Sequence, residues 1–211
     1  MIQDPEMVPS MIKDQKLVQQ RRKQIIDGAV RLFVKKGFHK TTTREIASES
    51  GLSIGTMYEY IQSKEDVLYL VCKDIHHVLE KKIRQSWSNE KNGIEALRKS
   101  IMQLFLLVDE MRAPILFIYQ ETKSLPPAYK KLVLQKEAEI TEIFAQILQS
   151  GVKDGTIEMD PQYIKLMAHQ IMVVGQMWTF RSWAIGGDYT IQEFARWQSD
   201  QIIHQLRKRR D

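Results

Sequence analysis

Apolar residues recur at spacings of three and four along most of the chain, the period of a helix with one inward face. Ile25, Ile26, Ala29, Leu32 and Phe33 make such a stripe and predict a first helix over about 17–36, ended by Gly37. A shorter pattern around Ile46 and Ala47 predicts a second helix, capped by Thr41 or Thr42. Gly51 stands where that helix must stop and the chain reverse, which favours a residue tolerant of positive φ. Leu52 follows as an apolar plug. Ser53 caps a third short helix, Ile54 to Tyr60, and Ser63 caps a longer one, with Asp66 placed for a capping box. Two short helices around a tight turn read as a helix-turn-helix. The second helix exposes small, hydroxyl and aromatic side chains suited to the major groove of DNA.

The longer helix, about 64–87, carries Val67, Leu68, Val71, Ile75, Val78, Leu79 and Ile83. Asn92-Gly93 breaks the chain before a helix at 94–110. Pro114 opens another at 114–124, and Pro126-Pro127 starts one at 127–150, ended by Gly151 and Gly155. Asp160-Pro161 begins a helix to about Ala184, Gly186-Gly187 stops it, and Thr190 caps a last helix to about Leu206. No strand pattern of useful length and no internal repeat occurs. The expected fold is all-α with about nine helices. Residues 1–16 form a flexible N-terminal arm, 17–63 a three-helix helix-turn-helix domain, and 64–211 a C-terminal helical domain. Residues 1–12 lack periodicity and carry Pro5 and Pro9.

The helix at 161–184 departs from the one-face rule. It is apolar almost all round, from Tyr163 and Ile164 through Met177, Trp178, Phe180 and Trp183, so most of its sides need cover. With the last helix, 190–206, it is expected to form a homodimer interface, which would set two reading helices about one helical turn of DNA apart.

Charge sharpens the picture at the other end. Between Lys13 and Lys40 stand nine Lys or Arg (13, 16, 21, 22, 23, 31, 35, 36, 40) and two Asp (14, 27), a net of +7 against +5 for the whole chain. Positive charge beside a groove-reading corner is the footprint of phosphate binding. Lys64, in the first turn of its helix, is placed to meet a phosphate that also faces the helix N-terminus.

The segment from Arg22 to Leu70 resembles the DNA-binding domain of the TetR (tetracycline-repressor-like) family of bacterial regulators. The resemblance rests on Ile25, Ile26, Ala29, Leu32, Phe33, Gly37, Phe38, Thr42, Thr43, Ile46, Ala47, Gly51, Ser53, Gly55, Thr56, Tyr58, Tyr60, Ser63, Lys64, Glu65 and Leu68. Ile61 stands where the family usually has Phe. The resemblance implies an operator-binding regulator, with Thr42, Thr43, Arg44, Ser53, Gly55, Thr56, Tyr58 and Tyr60 against double-stranded DNA. It also implies a small hydrophobic effector, held in the C-terminal domain by Met102, Phe105, Phe117, Tyr119, Gln120, Met167, Met172 and Trp178. The segment Trp178, Arg181, Trp183 resembles that of fatty-acid and acyl-CoA responsive members; regulators of drug efflux, answering flat or cationic compounds, are the alternative. An architectural DNA-binding protein without effector is the third reading. The helix at 64–87 joins the two parts and is the expected lever between them.

Other chemistry is absent from the sequence. The five histidines (39, 76, 77, 169, 204) lack metal-ligand spacing, and no P-loop or Gly-x-Ser-x-Gly occurs. No catalytic residue, metal or cofactor is expected. The single cysteine, Cys72, excludes an internal disulfide and fits a reducing cytoplasm. No run of eighteen apolar residues and no apolar N-terminal stretch suggests a membrane span or signal peptide.

Overall fold

A computed structural model describes residues 8–87, 90 and 92–207. Among the described residues there are nine α-helices, two single turns of 3-10 helix and no strand. The helices are α1 Gln15–Lys36, α2 Thr43–Glu49, α3 Ile54–Tyr58, α4 Lys64–Trp87, α5 Gly93–Glu110, α6 Arg112–Glu121, α7 Pro127–Lys153, α8 Ile164–Ile185 and α9 Ile191–Leu206. None of them is long and apolar enough to cross a membrane, and no described group of side chains could hold a metal ion. Of the closing basic run 207–210, which its sequence marks as a solvating tail, residues 208–210 lie outside the described residues.

The chain forms two compact units, and their division differs from the expected cut after residue 63. The N-terminal unit takes the chain up to Ile75 together with Phe117–Val133; the second takes His76–Leu116 and everything from Leu134. Aromatic contacts explain the grouping. Phe117 stacks on Phe33, ring centroids 5.0 Å apart, and Tyr129 stacks on Tyr69 at 4.5 Å. The Tyr129 hydroxyl donates to Asp66 Oδ1 at 2.7 Å. Burial and the Asp66 carboxylate both push that hydroxyl's pKa up.

Within the N-terminal unit, Asp14 caps α1 by accepting from the amides of Lys16 and Leu17. Gly37 ends it with φ +82, its amide bonded to Phe33 O at 2.8 Å. Phe33, Ile25, Ala29, Phe38, Ile46, Met57, Ile61 and Leu68 are almost wholly buried together. Cys72 sits in α4 with no exposed surface, and burial pushes its thiol up to about 12. Residues 8–14 are not the loose arm expected: Val8 is 2% exposed and Met11 N donates to Glu59 O at 2.8 Å.

In the C-terminal unit α5 packs against both α8 and α9. Glycines allow two close approaches to α5, one from α7 and one from α8. A Cβ on Gly93 would fall 2.2 Å from Gly151 Cα, and one on Gly175 would meet Leu104 and Phe105 at 3.2 Å. Gly151 therefore does not end α7, as expected; it lies inside that helix, and the chain leaves it at Gly155, φ +75. Pro114 likewise is the third residue of α6 rather than its first. Helix α8 buries Ile164, Ala168, Ile171, Met172, Gly175, Trp178 and Thr179. Its opposite side leaves Leu166, Val173 and Phe180 exposed at spacings of seven, with Trp183 78% exposed beside them.

Candidate nucleic-acid interface

The corner is built by caps. Thr42 Oγ1 accepts from Glu45 N at 3.3 Å, and the Glu45 carboxylate accepts from Thr42 N and from its hydroxyl. Lys36 Nζ, 2.5 Å from Glu45 Oε1, is the main reason the Glu45 carboxyl is lowered to about 2, with the Thr42 bonds adding to it. Thr41, the other candidate cap, is buried and donates to Gly37 O. Helix α2 turns Ile46 and Ala47 inward and ends at Ser50, whose hydroxyl returns to Ile46 O at 2.7 Å. Gly51 takes φ +69, so that Leu52 N reaches Ala47 O at 2.9 Å. The turn lies against α1 at Gly28, where a Cβ would come within 2.5 Å of Ser50 Oγ. A glycine inside a helical pattern was the available signal for that approach.

Helix α3 starts at Ser53, whose Oγ accepts from Thr56 N and donates to Thr56 Oγ1 at 2.9 Å. Only Met57 of its five residues is buried. Tyr58 is 43% exposed, and its hydroxyl lies 3.2 Å from Thr43 Oγ1, which joins the start of α2 to the end of α3. Thr42, Arg44, Ser53 and Gly55 are exposed, and Thr43 and Thr56 half-buried. A Cβ on Gly55 would touch nothing nearer than Ser53 Oγ at 3.8 Å, so its backbone is open to close approach. The corner thus presents hydroxyls, one guanidinium and bare backbone, groups that meet phosphates and base edges.

Two expected contacts are placed otherwise. Tyr60 lies beyond the end of α3, which stops two residues short of its expected end, and it is 3% exposed. It faces the core and not DNA. Lys64 Nζ donates to the carbonyls of Phe38 (2.9 Å), Thr41 (3.0 Å) and His39 (3.5 Å), over the Phe38 ring. Its three N–H groups are taken by the turn before α2, so its role there is to hold that turn. The basic stretch is also partly neutralised. Lys23 pairs with Asp27 and Asp74, Arg31 with Glu49, and Lys36 with Glu45.

The expected effector residues do not form one set. Phe117, Tyr119 and Gln120 fall in the N-terminal unit, Phe117 against Phe33 and Gln120 exposed. Met102, Phe105, Met167, Met172 and Trp178 fall in the second unit. There Phe105 and Trp178 each meet Phe194, at 5.6 and 5.1 Å. The Trp178 indole N–H donates to Asp109 Oδ1 at 2.7 Å, a polar partner that the sequence pattern did not single out. An open groove of about 450 Å³ lies elsewhere in that unit, lined by Arg84, Trp87, Asn92, Ala96, Ile147 and Asp154 among others, and holds none of the eight.

Residues 25–69 match the family described as bacterial regulatory proteins, tetR family, and residues 90–206 match the tetracyclin repressor-like C-terminal domain. The chain is 28% identical over 189 residues to the HTH-type transcriptional regulator HbdR of Aromatoleum sp. (strain CIB), covering 90% of this chain and 82% of that one. It is 28% identical over 142 residues to the HTH-type transcriptional repressor KstR2 of Mycolicibacterium smegmatis, covering 66% and 69%. Its fold is similar to that of AibR solved in complex with isovaleryl coenzyme A and operator DNA. There the TM-score is 0.71 at 19% identity, over 86% of this chain and 97% of that one.

Proposed function

The chain belongs to the tetR family of bacterial regulatory proteins, which are DNA-binding transcriptional regulators, and we propose that it is a homodimeric repressor released from its operator by a small hydrophobic effector. The observation that carries the reading is the outer surface of α2 and α3. Thr43 and Tyr58 are joined there hydroxyl to hydroxyl, with Arg44, Ser53 and Gly55 exposed around them. Pairing through α8 and α9 is supported by the unburied stripe of Leu166, Val173 and Phe180. A dimer so formed reads two half-sites related by its own two-fold axis.

The effector is assigned to the second unit, around Met102, Phe105, Met167, Met172 and Trp178, with Asp109 as a polar partner. An acyl thioester or fatty acid is the first candidate, since AibR, a protein of the same fold, was solved with isovaleryl coenzyme A. The aromatic cluster there is closed, so an effector must bind a state in which Phe105, Trp178 and Phe194 have moved apart. It shifts the equilibrium only by its preference for that state. Helix α4 runs unbroken from Lys64 to Trp87 and is the proposed route to the reading corner.

Selection of duplexes from a random library tests the DNA reading. The expected product is a palindrome with half-sites about 10 base pairs apart. Its release is then followed by fluorescence anisotropy against short and long acyl-CoAs, fatty acids and cationic dyes. Release by the dyes alone overturns the acyl assignment, and release by none leaves a regulator without this class of effector.

A further inference from the structure

We infer that residues 8–12 are a strap that belongs to the DNA-reading head and fixes the C-terminal end of α3, with Arg22 as its positioning residue. The inference rests on α3 being the reading helix.

Helix α3 has five residues, too few to stand alone, and the amides of Glu59, Tyr60 and Ile61 close its end on Thr56 O and Met57 O. The carbonyls just past it are satisfied from outside. Glu59 O accepts from Met11 N at 2.8 Å and from Ser10 Oγ at 3.1 Å. Tyr60 O accepts from Arg22 Nε at 3.1 Å, and the same guanidinium donates through Nη2 to Val8 O at 2.5 Å. Ile12 N closes the strap on itself through Ser10 Oγ at 3.2 Å. The Val8 side chain, 2% exposed, anchors the strap in the core of its own unit. One planar fork on α1 therefore ties together the strap and the end of the reading helix, a task that needs two divergent donors and that an ammonium does poorly.

Positioning and electrostatics predict opposite signs. Residues 1–12 contain no Lys or Arg but two acids, Asp4 and Glu6. Were charge the only effect, removing them would tighten DNA binding. If the strap sets the angle of α3, removing it weakens sequence-specific binding and leaves nonspecific binding alone.

The test uses the duplex selected by the unaltered 211-residue chain and a random duplex of equal length. Three variants are compared with the full chain: one lacking residues 1–11, Arg22→Lys, and Ser10→Ala. The truncated chain and Arg22→Lys should each lose about tenfold on the selected duplex, the scale of one or two lost hydrogen bonds. Affinity for the random duplex should be unchanged or, for the truncation, slightly higher, and Arg22→Lys should keep the salt slope. Ser10→Ala, which leaves Val8 buried, should show the same selective loss in smaller measure even if the truncated chain melts early. Binding of the selected duplex by the truncated chain as tightly as by the full chain overturns the strap, as does equal weakening of both DNAs in Arg22→Lys. Failure of the full chain to select any duplex overturns instead the assignment of α3 as the reading helix.

Discussion

The helix-turn-helix corner and helix α8 each leave an outward face, and the two faces are chemical opposites. The corner shows Thr42, Arg44, Ser53, Gly55 and the tip of Tyr58, with its aliphatic residues turned inward. Helix α8 shows Leu166, Val173, Phe180 and Trp183. A polar face is stable in water and can wait for its partner. An apolar one costs about 25 cal/mol for each Å² left wet, which favours a lasting partner over a passing one. In the proposed dimer the comparison teaches which association is conditional: DNA comes and goes, and the second copy of the chain stays.

The strongest way to break this comparison is to make α8 polar. Val173→Glu combined with Phe180→Glu should give a monomer by light scattering. It should also weaken binding to the selected palindrome by at least about a hundredfold, since two linked half-site contacts become one. A dimer that survives both charges would show that the stripe is covered by something else. Next in size is Gly93→Ala. Its Cβ would meet Gly151 Cα at 2.2 Å, backbone against backbone, and overpacking of that kind costs about 1–3 kcal/mol. The melting temperature should fall by roughly 5 °C while DNA affinity of the folded fraction holds, which separates the two faces from the stability of the unit behind one of them.

Tyr58→Ala sharpens the polar side. It removes the hydroxyl beside Thr43 and an exposed ring, and should cost about tenfold on the selected duplex, or about 1.4 kcal/mol, with the melting temperature nearly unchanged. Unaltered affinity would remove Tyr58 from the interface. The smallest effect belongs to Glu45. Its carboxyl titrates at about 2 against an ordinary 4.5, first because of Lys36 and then of Thr42. A depressed acid stabilises the fold above its ordinary pKa and loses that contribution as pH falls through the lowered one. Glu45→Gln should therefore flatten the pH dependence of melting between about 4.5 and 2, a change read by calorimetry.

Interactions between near neighbours in sequence were legible; those that cross the fold were not. The boxes Thr42–Glu45 and Ser63–Asp66 and the Ser53 cap close within three residues, and each has its own residue signature. Tyr60 was misplaced because apolar periodicity does not mark where a five-residue helix stops. Lys64 was misread because its acceptors are backbone carbonyls more than twenty residues away, which no side-chain pattern announces. The Asp109–Trp178 and Asp66–Tyr129 bonds span 69 and 63 residues. They depend on helix packing, as does the grouping of Phe117 with the N-terminal unit and not with the other expected effector residues.

Cys72 has a consequence for spectroscopy. The chain has one thiol, it has no exposed surface, and its ionisation is pushed up to about 12. Maleimides and methanethiosulfonates react with exposed thiolate, so the folded native sequence is in effect a cysteine-free background. A single exposed replacement such as Ser48→Cys on α2 would carry a spin label with Cys72 left in place. In the proposed dimer, the distance between two such labels, measured with and without effector, would report the spacing of the reading heads directly.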